Sequence, residues 1–118
     1  MIARIYAKSM DDCIFCKIVN GDIPSHKVYE DEDFLAFLDA NPKSEGHTLV
    51  IPKEHFEDIF DLPEEVAKEL MARVKYVAEK LRSGDLNPDG IRLQQSNGKS
   101  AGQEIFHVHF HIIPSYNK

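Results

Sequence analysis

Apolar positions along this chain fall into two rhythms, and the rhythm marks each element. Between residues 66 and 81, Val66, Leu70, Val74, Val77 and Leu81 recur in steps of four and three, which places them on one side of an α-helix. Asp61 with Glu64 three residues on has capping-box form, Pro63 suits a first turn, and Gly84 is expected to stop the helix. Elsewhere the pattern is that of strands. Lys27–Glu30, Phe34–Leu38, residues 47–51 and residues 91–95 read as four of them, the last with apolar residues at 91 and 93. Residues 104–113 form the most strand-like run, with Pro114 expected to end it. Near the start, residues 13–19 read as a short helix that Asp11 and Asp12 are placed to cap and Gly21 and Pro24 to terminate. The acidic run 30–33 reads as a solvated turn, and 41–46 as a loop.

Several strands with one long helix and one or two short ones predict an α+β domain built on an antiparallel sheet of about five strands. The 118 residues suffice for one domain and not for two. Residues 11–118 are expected to form it, with 1–10 as an appendage. A net charge of −6 argues against a sequence-independent grip on nucleic-acid backbones. It leaves room for a single nucleotide, because a few backbone N–H groups can bind one phosphate. No apolar run approaches the length of a membrane span. The first eight residues are too short and too charged for a secretory signal, so a cytoplasmic location is expected.

The candidate chemistry lies in the last run. Side chains alternate across a strand, so His107, His109 and His111 share one face, and Val108, Phe110 and Ile112 the other. Three of the six histidines in strict alternation point to a strand with its back to a core and its front to a site. A metal site is a second reading, but the outer two lie roughly 13 Å apart along a strand, so at most two neighbours would ligate one ion. Cys13 and Cys16 form a Cys-x-x-Cys pair, which supplies half of a tetrahedral zinc site. A thioredoxin-like redox pair is weaker without a surrounding βαβ pattern, and two ordinary buried thiols are the plain alternative.

The run from His107 to Ile113, three histidines each followed by an apolar residue, resembles the signature of the histidine-triad family. The segments 13–18, 34–39, 46–53 and 97–103 resemble that family too, in its order, so the likeness covers nearly the whole chain and most resembles the Hint-like branch. The resemblance implies that His109 is a nucleophile toward the α-phosphorus of a nucleotide conjugate. It implies that His111 contacts phosphate oxygens and the leaving-group side, that His107 orients His109, and that His47 packs behind them. Ile14, Phe15, Ile18 and Phe37 would form a purine slot, and Asp39 would accept from ribose hydroxyls. Asn97 and Gln103 would contact the phosphate side, and Gly102 would let backbone approach it. Relatives with the N-terminal cysteine pair complete a structural zinc site with two histidines, matching His55 and His107 here. A homodimer is also implied.

Each nucleotide-site residue has a plainer alternative: core packing for the four apolar ones, a turn for Asp39, and a hairpin turn for Asn97-Gly98. Glu104 stands where many relatives carry Ser or Thr. Strand parity places it on the face opposite the triad, provided no bulge intervenes. Lys99 is the only basic residue between Asn97 and Gln103, which favours an amine leaving group over a polyphosphate. Only four residues follow Pro114, so the segment that shapes leaving-group choice in longer relatives is expected to be missing. The readings that compete with a phosphoramidate-type hydrolase are a nucleotide-binding regulatory or scaffold protein, a dinucleoside polyphosphate hydrolase, and a zinc-stabilised interaction domain.

Overall fold

A computed structural model describes residues 12–117. The expected appendage and the Asp11 cap lie outside those residues. The elements run α1 (Ile14–Val19), β1 (Lys27–Glu30), β2 (Phe34–Leu38), β3 (Thr48–Pro52), α2 (Glu64–Arg82), β4 (Gly90–Gln94) and β5 (Phe110–Ser115), with 3-10 turns at Ile59–Asp61 and Lys99–Ala101. The five strands form one antiparallel sheet in the order β1-β2-β3-β5-β4, the α+β architecture the sequence predicts.

Helix α2 covers one face of the sheet. Leu70, Val74 and Val77 pack on Phe34, Ala36, Val50 and Ile112, with Val66 and Leu81 at the margin. The alternate residues of the same strands, Leu35, Phe37, Leu49 and Ile51, bury against Phe15 and Ile18 of α1 on the opposite face. Both faces of β2 and β3 are therefore covered, which is why these strands read as continuous apolar runs rather than alternating ones.

Four local expectations change. Helix α2 begins without a capping box: Pro63 is its N-cap and supplies no side-chain bond, while the Asp61 carboxylate instead accepts from the Glu57 amide at 3.0 Å. Strand β5 starts only at Phe110 and runs through Pro114. Its pairing with β3 stops at Ile112, opposite Thr48. Beyond that point β5 has β4 as its one neighbour among the described residues, and a proline without an N–H is tolerated there as on an edge. The N-cap of α1 is Cys13 rather than Asp12, and Leu93, on the outer strand β4, is 47% exposed.

The turn between β1 and β2 is more than solvated charge. Asp31 Oδ1 accepts from the amides of Asp33 and Phe34, both at 2.8 Å, and Oδ2 accepts from the Tyr29 hydroxyl at 2.5 Å and from Arg73 Nε of α2 at 2.9 Å. Burial alone would raise the Asp31 pKa, but the four donors outweigh it and hold it at about 2, against 3.8. A folded pKa below the unfolded value means stability that is present above pH 4 and lost between pH 4 and 2. The linkage amounts to about 2 kcal/mol for a shift of this size. Asp31→Asn is expected to lower the unfolding free energy by about that much at pH 7 in urea titrations. The gap should narrow as pH falls from 4 to 2; an unchanged midpoint at pH 7 would refute the pairing.

Candidate active site and metal centre

Sheet register builds the floor of the site. Phe37 pairs with Leu49, and Leu49 with His111, so these three side chains stand in one row on the α1 face. His109 and His107 precede β5, yet they keep its alternation. His107 is buried beside α1, and the His109 and His111 rings lie 4.9 Å apart. Phe15 packs edge-on to His109 at 5.2 Å, to His107 at 5.9 Å and to Phe37 at 5.5 Å.

Hydrogen bonds determine where each imidazole carries its proton. A carbonyl only accepts, so His109 donates from Nδ1 to the His107 carbonyl at 2.7 Å. Burial holds the His109 pKa below its ordinary value, and the neutral ring then has a bare lone pair at Nε2. At His47 the polarity reverses. The Lys43 amide donates to His47 Nδ1 at 3.0 Å, and burial lowers the His47 pKa, so its proton sits on Nε2. That N–H faces His111 Nδ1 at 3.0 Å and Asp39 Oδ2 at 3.5 Å. With the ring neutral, the Asp39 contact is therefore not an ion pair. His111, whose pKa burial and the neighbouring His109 and His47 push down to about 4, accepts at Nδ1 and carries its own proton on Nε2. The result is a nucleophilic nitrogen on His109 beside an N–H donor on His111.

These groups open into a cleft of about 750 Å³. Ile14, Phe15, Ile18, Phe37, Asp39, His47, Gly102, His109 and His111 all line it. Asp39 combines both readings offered for it: Oδ1 accepts from the Asn41 amide in a turn at 2.9 Å, while the second oxygen is the one facing His47. Gly46, at φ +90°, sets up this loop, and a Cβ there would come within 2.7 Å of Leu86 Cδ1. Ile23, His26, Lys43, Leu49 and Ile105, outside the sequence-predicted set, also line the cleft. Leu49 was within reach, since it shares strand parity with His47. Nothing local marks the others, which arrive on loops.

Three expectations shift in place. Asn97 and Gln103 are not among the residues lining the cleft. The Asn97 side chain accepts from the Ile59 amide at 2.8 Å and pairs with Gln95. Buried Gln103 accepts from the Gly98 amide and donates to the Glu57 and Ile105 carbonyls. Both fasten the 97–103 loop from behind. Residue 104 lies outside any strand, so the parity argument does not reach it, and Glu104 borders the cleft. The cation at the cleft wall is Lys43, not Lys99.

Around His107 Nδ1, four side chains of types able to ligate a metal converge. The ligand atoms of Cys13, Cys16, His55 and His107 all lie within 4.8 Å of one another. Cys13 Sγ is 3.5 Å and Cys16 Sγ 3.6 Å from His107 Nδ1, and Cys16 Sγ is 3.4 Å from His55 Nδ1. A tetrahedral zinc ion with ordinary Zn–S and Zn–N lengths has N···S edges of about 3.6 Å, so the donor set fits. The tautomer fits as well: His107 donates from Nε2 to the Pro52 carbonyl at 2.8 Å, leaving Nδ1 free to bind metal. A second grouping, Asp39, His47 and His111, fails that test. The Lys43 amide occupies His47 Nδ1, so the nitrogen a metal would need carries the proton.

The sequence profile of the HIT domain matches residues 20–118. The chain is 50% identical over 108 residues to the protein called hit of Bacillus subtilis, spanning 92% of this chain and 74% of that one. It is 46% identical to the adenosine 5'-monophosphoramidase of Schizosaccharomyces pombe, over 90% of this chain and 76% of that one. Among solved structures, a zinc-bound histidine triad family protein from Mycobacterium smegmatis superposes with a TM-score of 0.86 at 43% identity, covering 90% of this chain and 76% of that one.

Proposed function

This chain belongs to the histidine-triad (HIT) family, and on that footing we propose that it cleaves purine nucleoside monophosphate conjugates at the α-phosphate, through a nucleotidyl-histidine intermediate. The observation that carries the reading is the opposed tautomers of His109 and His111. The base lies between Ile14, Phe15, Ile18 and Phe37, and Asp39 accepts from the ribose. His109 Nε2 attacks the phosphorus while its Nδ1–H stays on the His107 carbonyl, which stabilises the imidazolium that forms. The His111 Nε2–H donates toward the phosphate oxygens and the departing group. The bond from phosphorus to the amine breaks and the amine leaves with one proton taken up. Water then attacks the phosphorus and the P–Nε2 bond breaks. The proton the water gives up balances the one the amine took, so that His109 returns as a free base. Gly102 lets the loop backbone approach the phosphate, while Asn97 and Gln103 hold that loop rigid.

An amine leaving group suits the cleft better than a polyphosphate. Lys43 is its one Lys or Arg among the described residues, set against Asp39 and Glu104. A polyphosphate chain normally needs a clamp of several cations. The similarity to a named monophosphoramidase points the same way. The test compares kcat/KM for adenosine phosphoramidate and diadenosine polyphosphate in one buffer. A clear preference for the amine conjugate is expected, and preference for the polyphosphate would overturn the assignment.

Zinc, when bound, supplies structure rather than chemistry, because four protein ligands leave no open position. It would tie α1, through Cys13 and Cys16, to His55 and to His107. Thiolates kept reduced as ligands accord with a cytoplasmic setting, and no described helix is long and apolar enough to cross a membrane. A homodimer completes the reading: among the described residues β4 is an open sheet edge carrying exposed Leu93, and such an edge gains from pairing. Sedimentation at micromolar concentration should give the dimer mass, and a monomer mass would exclude it.

A further inference from the structure

Cys13 and Cys16 occupy unlike positions around the same centre. Cys13 is the N-cap of α1, extended at φ −83° and ψ 120°, and its sulfur accepts from the Cys16 amide at 3.4 Å. The cap geometry folds that sulfur back over the first turn, toward the residue three positions on. Cys16 is 2% exposed, whereas Cys13 is only partly buried and opens onto a recess of about 360 Å³, which it lines with Asp12, Ile14, His55, Glu57 and Glu104. One thiol is thus open to a small solute while the other waits behind it, the two sulfurs within 4.8 Å of each other. No third cysteine competes for either.

We propose that this pair is a redox modification site, in which a peroxide converts Cys13 and Cys16 to a disulfide and expels the metal. The peroxide O–O bond breaks as Cys13 Sγ attacks it, giving a sulfenic acid and one water. Cys16 Sγ displaces the sulfenic oxygen, an S–S bond forms, and a second water leaves. Two thiolates, one peroxide and two protons become one disulfide and two waters, and Zn²⁺ departs because disulfide sulfur is no longer a charged ligand.

The consequence reaches the cleft by two short routes. Helix α1 carries the cysteines and also Ile14, Phe15 and Ile18 of the base slot. His107 faces both sulfurs with Nδ1 and holds His109 with its carbonyl. Oxidation therefore loosens the nucleotide slot and the nucleophile together. The inference rests on the zinc reading above, and zinc stoichiometry before oxidation tests that reading separately.

The experiment treats the full, zinc-loaded chain with hydrogen peroxide and follows intact mass, zinc released to a chromogenic chelator, and AMP affinity. The expected result is a loss of about 2 Da against reduced, metal-free protein, one zinc released per chain, and AMP binding weakened about fivefold or more. Dithiothreitol with added zinc should reverse all three. Cys16→Ser should trap a dimedone-reactive sulfenic acid on Cys13, while Cys13→Ser should leave Cys16 slow to react. These two variants are read by mass alone and need no bound metal. Zinc retained under peroxide, an irreversible gain of 32 Da in place of the disulfide, or equal reactivity of the two cysteines in the variants would overturn the proposal. Absence of zinc before oxidation would instead overturn the zinc reading.

Discussion

Replacing His109 by alanine is expected to lower turnover of an adenosine phosphoramidate by about 10⁴-fold or more, the scale seen when a covalent nucleophile is removed. AMP affinity should stay within a few fold. The asymmetry follows from what the ring does. Its Nε2 lone pair is the nucleophile of the proposed reaction, and its Nδ1–H is already bound to the His107 carbonyl, so little of its hydrogen bonding is left to hold ground-state ligand. The proposed base slot, lined by Ile14, Phe15 and Ile18 of α1 and Phe37 of β2, does not depend on it. Single-turnover kinetics with radiolabelled substrate would separate the steps: the parent should form a nucleotidyl-protein adduct and the variant should form none. Turnover at the parent rate would show that another group attacks phosphorus.

Loss of the metal is expected to have the largest effect on stability. Protein purified without chelator should hold one zinc per chain, and Cys16→Ser should lose it and melt at least about 10 °C lower, as several kcal/mol would produce in a domain of this size. Without the ion, the buried Cys16 sulfur is left with weak S···N contacts, 3.4 Å to His55 Nδ1 and 3.6 Å to His107 Nδ1. The six-residue helix α1 is too short to hold together by its own hydrogen bonds. Its place over the sheet depends on Phe15 and Ile18 and on what anchors its first turn. Differential scanning calorimetry of the zinc-loaded protein, the chelated protein and the variant gives the comparison. A chelated protein with an unchanged melting temperature would sink the structural role.

The fold was legible wherever one physical rule operated alone. The four-and-three spacing from Val66 to Leu81 is a helix face whatever the neighbours do, and α2 packs by those residues. Phe34–Leu38 is a strand in any context that buries both its faces. Where two partners compete for one group, the local rule failed. Asp61 had capping form, but the Glu57 amide reached its carboxylate first. Residues 104–109 alternate like a strand, yet β5 begins at 110, because β3 and β4 offer partners only from Phe110 and His111 onward.

The site divides along the same line. Sequence by itself determined which chemistry is present: three alternating imidazoles, a fourth at residue 47, and a Cys-x-x-Cys pair, each a property of residue type and period. Tertiary structure alone decided what each nitrogen does. The proton positions on His47, His109 and His111 are set by the Lys43 amide and the His107 carbonyl, and backbone groups leave no mark in residue type. Folding also brought together the ligand atoms of Cys13, Cys16, His55 and His107, turned Asn97 and Gln103 to hydrogen bonds that hold the 97–103 loop, and brought Lys43 and Glu104 to the cleft wall. The physical reason is common to all of these. Periodicity fixes which side of an element a residue occupies, but a hydrogen bond is satisfied by whichever partner the packed chain brings within 3 Å.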